Sequence, residues 1–574
     1  MHTNRSLQMS AAAASAAPTG QHELDAAVVG LKERSREFAR LAPEAKAQLI
    51  RECIPRLLAG APAWVAEGAR VRGADPSEEW LAGPTTTIRM FRLLARSLDQ
   101  IAQAGKPALG RGARRRADGR LEIAVFPASV LDAVMYGGFG GHVLMQSGVD
   151  ERAARERQAE FYGRKDPEGG VSLILGAGNV SSIPPMDVAT KSFIEGFVCV
   201  LKMNPVNEWV GPHLEKALAP LIDRGYLRIV YGGAEEGSYL SYHPSVDDVH
   251  ITGSDRTHDA IVWGAPGPER DRRLAANDPI LDKPISSELG NVSPVAIVPY
   301  AYSDAELWFQ ARNVVTMVFN NASFNCNAAK MLITAKGWPQ RSKFLDMVAQ
   351  AFAQAPTRKA YYPGAFERYE RLLSGHANVE RFGQGSAEKL QWAFVRGVDA
   401  ATDDPLFRTE PFCGILSETS VGSSDPIDFL ATATTFMNER MWGTLSTTLV
   451  VPPKLEKRDV AFAQALDRSI VELRYGTVSI NHWPALGYAF GTMPWGGHPS
   501  SKLTDIQSGL GWVHNTFMLG GMDKSVIRGP LTMAPYPTWF FDNTKAGKVA
   551  PAAARMEAEP SWLKVPGLLA KVLL

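Results

Sequence analysis

The sequence is short of three things that would each have pointed to a class of function. Four cysteines occur in 574 residues, at positions 53, 199, 326 and 413, and no C-x-x-C pair is present. Such spacing makes neither a disulfide framework nor a thiolate metal site, so free thiols, no bound metal and a reducing compartment, by default the cytoplasm, are expected. Charge of one sign is missing as well: 61 Lys and Arg stand against 60 Asp and Glu, a net charge of +1. That balance gives no global attraction to nucleic acid or to an anionic membrane. No apolar run approaches the roughly 18 to 20 residues needed to span a bilayer. The N-terminal MHTNRSLQMSAAAASAAPTGQH has no continuous apolar core of the kind a secretory signal needs, so residues 1–22 read as a flexible tail. The one dense basic patch, Arg111 to Arg120, contains Asp118-Gly119 and leads into the alternating LEIAVF, which reads as an exposed hairpin. Nucleic acid and membrane are therefore not expected as partners, which leaves small molecules and further copies of the chain.

What is present is alternation. Residues 23–105 carry helical spacing of Leu, Ala and Ile. From Val171 onward apolar strands and helical stretches take turns: VSLIL, MDVATKSFIEG, FVCVLKM, HLEKALAPLIDRG, LRIVYGG, VDDVHITGS. This is a βαβ rhythm, which predicts a parallel sheet with right-handed crossovers and a ligand crevice at the strand C-termini. A second such unit runs from VSPVAIV near Ser293 through KMLITA to FLATATTF and STTLVVP. The fold class is α/β with two parallel-sheet domains, consistent with a length that calls for more than one core.

Two side chains offer chemistry. Cys326 lies in NNASFNCNAAK, framed by small polar residues, whereas Cys53 follows a helical pattern, Cys199 sits in the apolar FVCVL and Cys413 in a turn. A free thiol has a pKa of about 8.5 and needs a helix N-terminus, a cation or a base to become a nucleophile. Asn-Cys-Asn-Ala-Ala is expected to open such a helix, and Glu288 in SSELGN is a candidate base. The stretch VSLILGAGNVSS fails as a Rossmann fingerprint, because no acid follows at the required distance and the next strand ends in Lys202. Singly, each residue has an ordinary reading: a buried thiol, a capping glutamate, a turn asparagine at 179, a solvated strand-end lysine, a helix cap at Gly253-Ser254.

In this order, however, seven segments between Val171 and Gly511 resemble the aldehyde dehydrogenase superfamily, with its E-L-G-x-x-x-P motif at Glu288 and its cysteine after a polar turn at Cys326. The resemblance implies that Cys326 is the nucleophile, Glu288 the base that activates the hydrolytic water, and Asn179 an oxyanion donor. It implies a cofactor, NAD or NADP, contacted by Lys202 at the adenosine ribose, by Gly233 in the glycine turn GGAEEG, and by Gly253 and Ser254 near the phosphates. Leu289, Glu410 and Phe412 would meet the nicotinamide end. Pro205 replaces a glutamate common in the family, which leaves NAD against NADP open. Further departures are Gly178 in place of an aromatic residue, Cys413-Gly414 in place of Gly-Pro, an insertion between Ser254 and Glu288, and a tail beyond Gly511. The implied architecture is a nucleotide-binding domain over 23–288, with a segment near 110–130 in a small β oligomerisation projection, a catalytic domain over 289–470, and a return to the projection with the closing motif over 471–574. Strands around Leu121 and Thr477 are expected in that projection, pairing chains into a homodimer or homotetramer. The implied activity is oxidation of an aldehyde to a carboxylic acid through a cysteine thiohemiacetal and thioester. A CoA-linked acyl reductase or acylating dehydrogenase is the alternative, and a non-catalytic homologue the third reading. Aromatic and apolar segments such as WFQARNVV and INHWPALGYAF point to a hydrophobic substrate.

Overall fold

A computed structural model of the chain describes residues 16–109 and 112–573. Most of the expected tail, residues 1–15, and Arg111 of the basic patch lie outside the described residues. The first helix begins at Gln21.

Two sheets organise the described residues. The smaller has five strands, in the spatial order Leu227–Val230, Val198–Lys202, Val171–Leu175, Asp248–Thr252, Ile285–Glu288, all parallel. Three of them, VSLIL, VCVLK and DVHIT, are buried throughout, as strands covered by helices on both faces must be. The chain order reverses between Val171–Leu175 and Asp248–Thr252, so their C-terminal ends part and leave the crevice of a doubly wound sheet.

The larger sheet has eleven strands. Its centre is parallel, running from Met522–Arg528 through Thr477–Ile480, Ser446–Val450, Pro294–Ile297, Met331–Ala335 and Ile415–Val421 to Trp392–Val398. At one end it continues into Gly140–Met145, Leu121–Phe126 and Ala113–Arg115, an antiparallel extension that belongs to the same sheet of the same chain. Leu121 lies in this extension as expected. Thr477 does not: it pairs with Ser446 on one side and Ser525 on the other, inside the parallel region. The strand that joins the extension to the main sheet is Met522–Arg528, from the segment beyond Gly511 that the sequence marked only as a tail.

The helical lead-in, Gln21–Ala39, Pro43–Arg72 and Thr86–Ala104, shares one apolar core with the smaller sheet. A buried polar knot fixes it there. Glu79 accepts from the Trp64 indole at 2.9 Å and from Arg72 at 2.7 Å, and also from the Ser181 hydroxyl. Arg72 donates in turn to Asn207 at 3.0 Å. The insertion between Ser254 and Glu288 forms two helices, Asp255–Trp263 and Pro268–Ala276, and the second buries no residue, so the added length sits on the surface.

Removing one partner of a buried ion pair strands the other. Glu79→Ala is expected to cost about 3 kcal/mol, read as a fall in the midpoint of thermal denaturation, whereas the same change at the exposed Glu269 is expected to leave the midpoint unchanged.

Candidate active site

Cys326 sits between a tight turn, Asn320–Ser323, and the strand Met331–Ala335. No helix opens at the cysteine, contrary to the expectation from its polar surroundings: the residues that follow form a turn and then enter the sheet. The turn itself is left-handed at three successive residues, with φ of 52° at Asn321, 53° at Ala322 and 69° at Ser323. Asparagine tolerates this conformation, but alanine and serine do so at a cost, so outside contacts must hold it. Glu78 accepts from the Asn321 backbone N–H at 2.8 Å, and the Tyr361 hydroxyl donates to the Asn321 side-chain oxygen at 2.8 Å. The Asn321 amide donates to the carbonyl of Asn179 at 2.9 Å, the carbonyl of Phe324 at 3.1 Å and the side chain of Asn325 at 3.1 Å.

The thiol is thereby brought against Glu288. Cys326 Sγ donates to Glu288 Oε1 at 3.0 Å. Glu288 ends the strand Ile285–Glu288 and is buried, which pushes its pKa up to about 7. Burial, and then the neighbouring carboxylate, hold the Cys326 thiol well above its ordinary range, so the proton rests on sulfur. The segment Ser508-Gly509-Leu510 clamps the strand that carries Glu288. Ser287 N–H donates to the Leu510 carbonyl at 2.7 Å, and Leu289 N–H to the Ser508 carbonyl at 3.0 Å. Gly509, at φ 105°, lies so close that a Cβ would come within 2.1 Å of the Ser287 carbonyl oxygen. A cavity of about 260 Å³ opens onto Glu288 between His250, Ser286, Trp495 and Val513.

Asn179 follows the strand Val171–Leu175 and is buried, with its amide donating to the Phe324 carbonyl at 2.9 Å. Beside it, the place left open by Gly178 is filled: a Cβ there would meet Asn204 Oδ1 and the Tyr362 hydroxyl, each at 2.8 Å. An aromatic ring is thus present, supplied from residue 362. Glu410 accepts from Lys330 Nζ at 2.9 Å, and Lys330 also donates to the carbonyls of Asn325 at 2.8 Å and Cys326 at 3.1 Å. Burial raises the Glu410 pKa while Lys330 opposes the rise. Phe412, at φ 44°, packs its ring 5.8 Å from that of Phe324 and 4.9 Å from that of Tyr362.

The remaining expected residues line the C-terminal ends of the smaller sheet. Lys202 closes the strand Val198–Lys202, and Gly233 caps the helix Ala234–Ser241. Gly253 N–H donates to the Glu288 carbonyl at 3.0 Å, and Ser254 caps Asp255–Trp263 by accepting from Thr257 N–H at 3.2 Å. Lys202 is 7% exposed, and its ammonium has no hydrogen bond or ion pair among the described residues. A buried cation without an acceptor at a sheet crevice fits a ligand rich in oxygen. Asn321, Tyr361 and Lys330 were not singled out by the sequence reading. Lys330 carried a signal that was available: a lone lysine just before the wholly buried strand MLITA.

Residues 136–364 match the model of the aldehyde dehydrogenase family. The chain is similar to the N-succinylglutamate 5-semialdehyde dehydrogenase of Sphingopyxis alaskensis, with 28% identity over 171 residues, 30% of this chain and 32% of that protein. A second curated relative of the same name, from Novosphingobium aromaticivorans, matches at 25% identity over 46% of this chain and 51% of its own length. The matches thus span a third to a half of these relatives. The fold extends further. The NADP-dependent glyceraldehyde-3-phosphate dehydrogenase of Bacillus halodurans, solved with NADP, superposes with a TM-score of 0.59 over 89% of this chain and 92% of that one, at 15% identity. The Mycobacterium tuberculosis aldehyde dehydrogenase solved with NAD+ does so with a TM-score of 0.58 over 90% and 91%, at 17% identity.

Cys53, Cys199 and Cys413 are fully buried and Cys326 is not. A disulfide reagent should therefore label one thiol per native chain and none in Cys326→Ser. Replacing Glu288 by Gln removes the charge that disfavours the thiolate, so alkylation of Cys326 at pH 8 should become faster. The same variant has a signature in stability. Because burial lifts the Glu288 pKa from 4.5 to about 7, the native state holds that proton more tightly than the unfolded chain. The stabilisation is complete at acid pH and is lost as pH rises through the interval up to about 7. Comparing the thermal midpoints of wild type and Glu288→Gln across this range should show the wild type losing ground as pH rises.

Proposed function

We propose that the chain is a divergent member of the aldehyde dehydrogenase superfamily, on the strength of the family match over residues 136–364 and the shared fold, and that it oxidises an aldehyde to a carboxylic acid with NAD or NADP as acceptor. The observation that carries the reading is the 3.0 Å contact between the Cys326 thiol and the Glu288 carboxylate, facing the loop that holds Asn179.

Glu288 takes the thiol proton as sulfur attacks the carbonyl carbon, so that thiolate is generated at the moment it is consumed. The Asn179 amide has two N–H groups. One donates to the Phe324 carbonyl, which leaves the second to donate to the oxygen on which charge grows. Lys330, together with the Ser293 hydroxyl at 2.9 Å, holds the Cys326 carbonyl and keeps the thiol in place during attack. The dinucleotide, when bound, supplies the acceptor for hydride leaving the thiohemiacetal carbon. Lys202, Gly233, Gly253 and Ser254 would hold its adenosine and phosphate portion, and Leu289, Glu410 and Phe412 its nicotinamide end. Glu288, having released the thiol proton to solvent, draws a proton from water as hydroxide adds to the thioester carbon; the carbon–sulfur bond then breaks, Glu288 returns that proton to sulfur, and the acid and the thiol are released. A pKa of about 7 suits a group that must accept and give up a proton in each cycle. Leu445, Trp495, Val513 and Tyr488 pack around Cys326, which favours an aldehyde with an apolar portion next to its carbonyl.

The test is formation of reduced nicotinamide, followed by absorbance with a panel of aldehydes, both nucleotides, and with or without CoA. Turnover without CoA is expected. Turnover that needs CoA would move the reading to acyl transfer, and none under any condition would reject it. Cys326→Ala should lose turnover and keep nucleotide binding. Glu288→Gln should lower steady-state turnover by about 10² to 10⁴, and the first round of hydride transfer should slow with it, because the same carboxylate takes the thiol proton.

A further inference from the structure

We propose that the C-terminal helices form a docking surface for an anionic lipid bilayer, one that holds the chain against a membrane face without crossing it. Ten large apolar side chains stand exposed among the described residues, and six of them, Val130, Val134, Trp562, Leu563, Leu569 and Leu573, fall in two short segments. The segments meet. Leu131 and Met135 from one pack against Val565 and Leu568 from the other, over Val549 and Met556. A cavity of about 290 Å³ lies between them, lined by Val130 on one side and Trp562 on the other. Single apolar residues scattered over a surface need no explanation, but a concentration of this kind marks a contact site.

The helix Val565–Leu573 is apolar on two faces. Val565, Leu568 and Val572, at i, i+3 and i+7, turn to the cluster beneath. Pro566, Leu569, Ala570 and Leu573, at i, i+3, i+4 and i+7, are exposed, and Leu563 just ahead of the helix is 93% exposed. An ordinary surface helix carries polar residues on that outer face. Charge indicates what covers it. Residues 545–574 contain five Lys and Arg against two Glu. Both acids are taken, Glu557 by Arg89 and Arg92 and Glu559 by Lys564. The side chains of Lys548, Arg555 and Lys571 are exposed and have no hydrogen bond or ion pair among the described residues. The near-zero charge of the whole chain thus conceals a local cationic excess beside an apolar face. That pairing suits an anionic bilayer, whose acyl boundary takes leucine and tryptophan while its headgroups take lysine. A second copy of the chain fits worse, because a symmetric contact would set the same unpaired cations against each other with no free acid between them. No helix among the described residues is long and apolar enough to cross a membrane, so the attachment is to its surface.

The test is flotation of the full chain with vesicles on a density gradient, using phosphatidylglycerol mixed into phosphatidylcholine, and phosphatidylcholine alone. The wild type is expected to float with the mixed vesicles about tenfold more than with the neutral ones, and to be released as ionic strength rises. Leu563→Asp combined with Leu573→Asp should lower the bound fraction about tenfold. The thermal midpoint should stay where it is, since both side chains are exposed. Lys548→Gln combined with Lys571→Gln should weaken binding to the mixed vesicles alone, and serves as the second variant should the leucine pair fail to fold. A wild type that does not float, or floats equally with both vesicles, would overturn the proposal. So would a folded leucine variant that floats as the wild type does. A dimer by light scattering that the leucine variant separates into monomers would give the face to a second copy and reject the bilayer. Aldehyde oxidation assayed without vesicles should be the same in each variant, because none of these side chains belongs to the candidate site, so failure of this proposal leaves the proposed activity intact.

Discussion

One carboxamide decides whether the two halves of this molecule cooperate. Asn321 stands in a left-handed turn of the larger unit, and its amide reaches the backbone carbonyl of Asn179 at the end of a strand in the smaller unit. The same amide holds the Phe324 carbonyl two residues before the thiol, and Tyr361 closes the arrangement by donating to its oxygen. Ala322 and Ser323 have no local reason to adopt positive φ. They do so because Asn321 is bonded on all sides and drags the chain with it. Break that tie and Cys326, Asn179 and Glu288 each keep their element but lose their mutual distance.

Electrostatics inside the site follow from dryness rather than from an array of charges. Glu288 is lifted by burial, and the nearby thiol is lifted further by the same burial and by Glu288 itself. Neither group is primed alone. The proton must pass between them, and the contact between Sγ and Oε1 makes that transfer local. The buried cation nearest to the thiol, Lys330, is spent on carbonyls and on Glu410 rather than on the sulfur, so it orders the loop without drawing thiolate out of the resting state.

Much of this was legible in the sequence. Cys326 and Glu288, 38 positions apart, were named from short motifs and lie in contact, because each motif encodes a strand end or a turn, and strand ends of such sheets converge. The alternation of strand and helix in the smaller sheet was legible for the same reason, since VSLIL and VCVLK each carry an apolar run, whereas the strand order and the edge strand ISSE were not. What escaped depended on partners remote in the chain. The polar residues around Cys326 were read as a helix start, but the following strand, pulled into the sheet between Pro294–Ile297 and Ile415–Val421, wins over local preference. Thr477 was placed in the projection by the family resemblance, and only its pairing with Ser446 and Ser525 puts it in the interior. Asn321 and Lys330 are ordinary letters until their acceptors, which come from segments 80 to 142 positions away, are known.

The late strand Met522–Arg528 is joined to Thr477–Ile480 on one side and to Gly140–Met145 on the other. During synthesis the earlier of these partners is made almost four hundred residues before the strand that completes it. Until then its edge offers unpaired N–H and C=O groups to any other chain, the condition under which sheets associate wrongly. The closing event is also costly in loop entropy and therefore slow. A polypeptide cut short after Phe412 would possess Cys326, Glu288 and Asn179 and still leave the sheet open, so its quality in the cell is governed by the last tenth of the chain.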